Sequence, residues 1–408
     1  MKVADFASLG EDLLSYCNHF HGEFGRSQAR ETFDAMLFGL LVAQGRKNTW
    51  QLTEATGMSG PDSLQRFLST TRWDHDSMLA TYQRFVLEKL GSSGALLFDE
   101  TGFLKKGSSS VGVQHQYTGT AGRVANCQVG VFAAWLTPNA HVLFDRMLYF
   151  PVSWQDDHTR RARAHVPEHV RTVPKAKLAA LMLDRALTTG ARPQWVGGDC
   201  VYGDDTSLRK AVAAHGLDYV FAVSSTAQVW TQWPDVLTAQ QRRTPGRSGR
   251  PPRLSKVAPD TAARQRVDDL AQRIDPSQWQ LLSIGEGTKG PRLFEWASLP
   301  VVEACDELPS RWSTLLIRRH PENHDDLSYY LCSSSSALSV STLAERAGAR
   351  WPIEQCFEEA KSLCGLDEYE VRSWVGWHRH ITMSMMAHGF IAWQRAKWSE
   401  QEQKKTNR

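Results

Sequence analysis

Three carboxylates stand apart in this chain of 408 residues. Asp99 closes the apolar run Leu96-Leu97-Phe98 and is followed by Glu100-Thr101-Gly102. Asp199 follows Trp195-Val196-Gly197-Gly198. Glu354 sits in Arg350-Trp351-Pro352-Ile353-Glu354, with Lys361 downstream. Acids spread in this way, each at the end of an element expected to be rigid, suit a two-metal site for phosphodiester chemistry. Phosphodiesters resist attack because both the nucleophile and the phosphoryl oxygens are negative, and two Mg²⁺ ions about 4 Å apart relieve that. Mg²⁺ takes oxygen ligands in near-octahedral geometry, so a few carboxylates suffice. Rigid elements must hold them, because like charges this close repel until metal arrives.

A helix turns about 100° per residue. The steps from Arg350 to Glu354 and from Glu354 to Lys361 therefore return to one face. One carboxylate lies between two cations, and those cations suit phosphate: arginine by its fork, lysine as a point charge. The plain alternative is a solvated helix face with favourable acid–base spacing, and Glu358, one turn on, rivals Glu354. Pro352 marks the helix start and leaves Arg350 at or just before it. Near the aspartates, Glu100 is expected on the opposite sheet face, and Asp204 and Asp205 as caps of the next helix. Lys105 and Lys106 are expected to grip a DNA backbone. Asp156 and Asp157 with Arg160 and Arg161 read as a surface charge cluster, and His378, His380 and His388 as polar-face or packing histidines.

The elements that carry these residues follow from periodicity. Residues 1–90 read as helical, with Phe33, Met36, Leu37, Leu40 and Leu41 at helical spacing. A second helix covers 50–56 with Asn48-Thr49 as its N-cap, and a third starts near Asp62. The pair is open to two readings, a DNA-reading helix-turn-helix or an ordinary bundle. From Gly91 the pattern becomes strands at 95–98, 110–117, 126–136 and 141–149. A helix at 175–189, a strand at 194–198, a helix at 206–215 and a strand at 219–223 follow. That order is expected of an RNase H-like α/β core, by fold analogy.

Residues 224–310 read as an inserted β-rich subdomain with strands at 278–284 and 293–299. It contains a basic, acid-free, Pro/Gly-rich stretch with Arg242, Arg243, Arg247 and Arg250, expected to be a mobile arm on a phosphate backbone; a solvated loop is the alternative. The core is expected to resume over 311–370, with strands at 312–318 and 327–333 and a helix at 341–364. A C-terminal helix and basic tail fill 371–408.

Composition narrows the class. The net charge of +3 leaves room for local basic patches, and the hydrophobic share of 41% is that of an ordinary folded protein. The cysteines form no C-x-x-C pair, which fits reduced thiols in a cytosolic protein and argues against zinc. No apolar signal segment follows Met1, and the longest apolar stretch is too short for a bilayer. No P-loop or dinucleotide fingerprint stands out, so no nucleotide cofactor is expected.

Over about residues 95–390 the chain resembles bacterial insertion-sequence transposases of the DDE superfamily, in the group with a Tyr-Arg-Glu-Lys signature. The resemblance is carried by Asp99-Glu100-Thr101-Gly102-Phe103-Leu104-Lys105-Lys106-Gly107 and by Gln116-Tyr117-Thr118-Gly119-Thr120-Ala121-Gly122-Arg123. Further matches are Asn126-Cys127-Gln128-Val129-Gly130-Val131, Ser153-Trp154-Gln155-Asp156-Asp157, Gly198-Asp199-Cys200-Val201-Tyr202-Gly203, and Arg350-Trp351-Pro352-Ile353-Glu354 with Lys361. It implies an RNase H-like core in which Asp99, Asp199 and Glu354 form the catalytic, metal-binding triad, with Arg350 and Lys361 in the basic positions. The signature tyrosine falls at Ala347. In relatives an insertion tryptophan stacks on a flipped base, which points to Trp279 and Trp296.

The resemblance further implies two Mg²⁺ ions, with Mn²⁺ able to substitute. It implies double-stranded DNA as partner, both element ends and target, and a homodimer in the DNA complex. A cytoplasmic, nucleoid-associated bacterial protein with no membrane partner is expected. Two other readings stay open: a DNA-binding regulator or inactive remnant, and an RNase H-like nuclease without strand transfer.

Overall fold

The computed structural model describes residues 3–242, 253–287 and 290–406. The fold is mixed α/β and divides into two compact units, Met1–Pro193 with Pro352–Arg408, and Gln194–Trp351. Among the described residues no helix is long and apolar enough to cross a membrane.

The first unit opens with helices α1 (Val3–Phe20), α2 (Ser27–Val42), α3 (Thr49–Thr56), α4 (Asp62–Ser69) and α5 (His75–Leu90). Asn48 caps α3 as expected, its side chain accepting from the amides of Trp50 and Gln51. Gly57 ends α3 in the left-handed conformation. Rings knit these helices together, with Phe24 against Phe33 and Phe67, and Phe67 stacked on Trp73.

The chain then forms β1 (Ser93–Leu104), β2 (Gln114–Thr118), β3 (Arg123–Thr137) and β4 (Ala140–Leu148), with β3 antiparallel to each of the other three. Helices α6 (His158–Arg163) and α7 (Lys175–Thr189) follow. Gly190 closes α7 with a left-handed φ.

The second unit holds β5 (Arg192–Gly198, its first two residues outside the unit), α8 (Cys200–Gly203), α9 (Thr206–Ala214) and β6 (Asp218–Val223). Strands of two residues, β7 (Gln228–Val229), β8 (Val236–Leu237), β9 (Lys256–Val257) and β10 (Gln265–Arg266), lead to the short helix α10 (Val267–Ala271). A long meander follows: β11 (Gln280–Gly287), β12 (Gly290–Cys305), β13 (Leu308–His320) and β14 (Asn323–Ser333). The sheet of this unit runs β11-β12-β13-β14-β6-β5. Only the β5–β6 pair in that run is parallel. A core of its own sits on the meander, where Val267 and Leu270 pack with Val301, Leu315, Ile317 and Leu331.

Antiparallel strands, helix, strand, helix, strand is the order anticipated for an RNase H-like core. One expected element is broken. The helix read over 341–364 is two helices, α11 (Val340–Gly348) and α12 (Trp351–Cys364), separated by Ala349 and Arg350. Pro352 is the reason: it has no backbone N–H to continue a helix but fits the first turn of a new one.

Helix α13 (Trp374–Thr406) is the axis of the first unit and packs on β4, α2, α4 and α5. Trp377, Ile381, Met386 and Ala387 are buried along it. Tyr16 donates to the Met386 carbonyl at 2.8 Å, and Arg379 donates to the carbonyls of Phe67 at 3.2 Å and Trp73 at 2.6 Å.

Candidate functional site

Asp99 lies inside β1, opposite Phe132 on β3. Side chains alternate along a strand, so Asp99, Thr101 and Phe103 share a face and Glu100 takes the other. Glu100 is indeed held on that other face, where Lys175 at the start of α7 pairs with it at 2.5 Å. On Asp99's face lies α12. The ring of Phe357 meets Phe132 edge-on with centroids 5.3 Å apart. Lys361 Nζ donates to Thr101 Oγ1 at 2.7 Å and to Thr120 Oγ1 at 3.4 Å. Burial lowers the Lys361 ammonium's pKa, with Asp367 opposing.

Glu354 shares a stripe of α12 with Phe357 and Lys361 by the three-to-four residue repeat, and it is exposed in the first turn. Asp99 and Glu354, with Lys361, are thus carried by facing elements of one unit. Glu358, the rival acid, is exposed on the same helix.

Asp199 belongs to the second unit. The β5–β6 ladder ends at Gly198 opposite Phe221, so Asp199 is the first residue past it. Its side chain caps α8 by accepting from the Val201 amide at 2.9 Å. Its carbonyl accepts from Tyr202 at 3.1 Å and Gly203 at 2.8 Å. Asp205 caps α9 as anticipated, accepting from the Leu208 amide at 2.9 Å; Asp204 instead accepts from the Ser224 amide at 3.0 Å.

Arg350 is not on the α12 stripe, contrary to the helical spacing. It lies in the turn before Trp351, within the second unit. There its charge reaches the turn of Asp199. The Cys200 thiol is pushed up by burial and by the Asp199 and Asp204 carboxylates, and pulled back by a backbone hydrogen bond and, less, by the Arg350 guanidinium.

The remaining expectations divide. Lys106 is exposed. Lys105 does not reach outward: its Nζ lies 3.5 Å from the centre of the Tyr369 ring, and burial lowers its pKa to about 8. Arg242 is half-buried and donates to the Leu254 carbonyl at 2.7 Å. Arg243, Arg247 and Arg250 lie outside the described residues.

Asp157 and the two nearby arginines build and anchor α6 rather than forming a surface cluster. Asp157 caps α6, Arg160 stacks on Trp154 at 3.9 Å, and the buried Arg161 donates to the Pro167 and Val170 carbonyls. The histidines pack as expected. His378 bonds the Trp374 carbonyl at 2.8 Å and stacks on His75, and His380 bonds the Gly365 carbonyl at 2.9 Å.

Of the two tryptophans expected to stack on a base, one is buried and the other carries a cation. Trp296 is fully buried against Tyr330, and Trp279 carries the Arg319 guanidinium at 3.9 Å. Trp233 and Trp312 are about half exposed instead, with ring centres 6.2 Å apart. Sequence reading also missed the buried Arg209, Tyr219 and Glu303. Their polar contacts join residues 84 and 94 positions apart, so no local pattern signals them.

The donor chemistry of the three acids fits an oxygen-seeking divalent ion. All three are carboxylates, the hard oxygen donors that such an ion takes. A second acidic group, Asp74, His75 and Asp76, has other work. Asp74 caps α5, and Asp76 accepts from the buried Arg146 at 3.0 Å.

Comparison with known proteins bears on the family. The chain is 27% identical over 221 residues to a probable transposase for insertion sequence element IS701 from Microchaete diplosiphon, a match covering 52% of this chain and 54% of that protein. It thus spans about half the length of that relative. Among solved structures it is similar to the piggyBac transposase synaptic complex with hairpin DNA, at 11% identity and a TM-score of 0.41, over 91% of this chain and 66% of that one. A likeness that low carries no weight here. The profile of the DDE superfamily endonuclease family matches residues 19–291, which include both Asp99 and Asp199. Because that match takes in well over half of the sequence, the chain belongs to the DDE superfamily endonucleases.

Proposed function

We propose that this protein is a DNA transposase that cleaves the ends of an insertion sequence and joins the freed 3′-hydroxyls to target DNA. The observation that carries the reading is the packing of α12 on the Asp99 face of β1. It brings the stripe of Glu354, Phe357 and Lys361 against the strand of the first aspartate. In this reading Asp99, Asp199 and Glu354 hold two Mg²⁺ ions, with Mn²⁺ able to replace them. Such ions, when bound, activate the attacking water or 3′-hydroxyl and relieve charge at the leaving oxygen.

The chain's own residues supply position. β1 fixes the Asp99 main chain through its ladder, and the α8 turn fixes that of Asp199. Lys361 and Arg350 meet the phosphate oxygens flanking the scissile bond, and Lys106 contacts the backbone beyond it. The partner is double-stranded DNA, and a homodimer holds the two ends together.

The test uses a duplex carrying the inverted repeat that flanks the coding region, with Mg²⁺. Nicking at the repeat boundary by the wild type, lost in Asp99→Asn and Glu354→Gln, is expected. Unimpaired nicking by either variant refutes the assignment. Supplying a pre-cut 3′-hydroxyl end and scoring its joining to a second duplex separates a transposase from a nuclease.

A further inference from the structure

We propose that Arg209 is a positioning residue for Asp199, held in place by Glu303 and Tyr219. The inference rests on the catalytic reading of Asp199 given above. Arg209 on α9 donates through Nε to Glu303 Oε2 at 2.6 Å, and Tyr219 on β6 donates its hydroxyl to Glu303 Oε1 at 2.5 Å. All three side chains are buried. The other arm of the guanidinium donates to the carbonyl of Gly203. Gly203 in turn donates its amide to the carbonyl of Asp199. A chain of hydrogen bonds therefore runs from β12, through α9, to the backbone of the candidate ligand.

A second constraint bears on the same glycine. A Cβ at Gly203 would lie 1.8 Å from the Ala222 carbonyl oxygen, so the turn is pressed onto β6 with no room for a side chain. Asp199 needs such a hold, because it stands past the last paired residue of its strand. Stability alone explains the cluster poorly. A buried ion pair is often no better for stability than apolar residues of the same volume, while it does fix one geometry. Here the geometry fixed is that of the turn α8. Metal-site acids depend on such outer support, and losing it commonly costs about 10–100-fold in metal affinity or activity.

The experiment combines hydrogen exchange on the full chain with metal titration of nicking. In the wild type, amides of the peptide 199–205 should exchange as slowly as those of β6. In Arg209→Lys and in the milder Glu303→Gln, that peptide should exchange about tenfold faster while the peptide 95–104 is unchanged. The Mn²⁺ concentration for half-maximal nicking of the repeat duplex should rise by about tenfold, with the rate at saturating Mn²⁺ nearly restored. Equal loosening of both peptides, or an unchanged Mn²⁺ requirement in folded variants, overturns the proposal. Should both variants fail to fold, fast exchange of 199–205 in the wild type overturns it and slow exchange supports it. Normal nicking by Asp199→Asn sinks the catalytic reading instead, and leaves the exchange result to stand as a purely structural clamp.

Discussion

Asp99 and Asp199 are both aspartates delivered by strands, and each has a cation of the same signature near it, yet they are held by different means. Asp99 sits within a paired ladder, opposite Phe132, with Lys361 bonded two residues away at Thr101. Asp199 sits beyond its ladder, in a turn fixed by Gly203 and Arg209, with the charge of Arg350 reaching the adjacent Cys200. A ladder fixes a carboxylate through repeated backbone bonds, and it tolerates local change. A turn past the end of a strand depends on a few specific contacts. The second aspartate should therefore be the more fragile of the two.

The largest expected effect tests whether the two are equal in chemistry although unequal in support. On the proposed reading, Asp99→Asn and Asp199→Asn should each slow nicking by about a thousandfold, since ions held there would supply several kcal/mol of charge stabilisation. A strand-cleavage time course with matched melting temperatures checks this. A loss confined to one variant breaks the symmetry. Next comes the support itself. Gly203→Ala places a Cβ on a backbone oxygen and should destabilise by about 3 kcal/mol in urea unfolding.

A smaller effect is read from pH. On the side of α12 that meets α13, the hydrogen bond with His388 and then the Arg395 guanidinium hold Glu359 down at about 2, against burial. A depressed carboxylate stabilises the fold above its usual value near 4.5, and that contribution fades as pH falls through about 2. Glu359→Gln should therefore cost about 1 kcal/mol at neutral pH, after allowance for solvent screening, and almost nothing near pH 2. Unfolding curves at several pH values decide it. The smallest effect belongs to the far side of β1. Lys175→Met removes one partner of Glu100 and should cost under about 1 kcal/mol, with nicking unchanged. A large loss of nicking there would place Glu100 in the chemistry after all.

Much of this is legible in the sequence wherever the signal is local. The Asn48 cap, the amphipathic helix α7 and the alternation that turned Glu100 away from Asp99 each rest on residues within one or two turns of each other. The break at Ala349 and Arg350 was half visible. The apolar repeat continues through it, and only Pro352 marks the new start. Long-range packing was not readable. Nothing near Trp296 distinguishes a buried ring from an exposed one until Tyr330 arrives beside it, and the cluster of Arg209, Tyr219 and Glu303 exists only once β12 lies near α9. Lys105 looked like an outward-facing cation because the residue that covers it, Tyr369, is far along the chain.

The course of α13 has a consequence for how the protein comes into being. Helices α1, α2, α4 and α5 are translated first, but Tyr16, Phe67 and Trp73 find their carbonyl and guanidinium partners on a helix that begins at Trp374. During synthesis that bundle waits, unseated, until the ribosome has delivered a helix more than 300 residues further along the chain. Products cut short before α13 would leave that aromatic seam uncovered and open to aggregation or proteolysis.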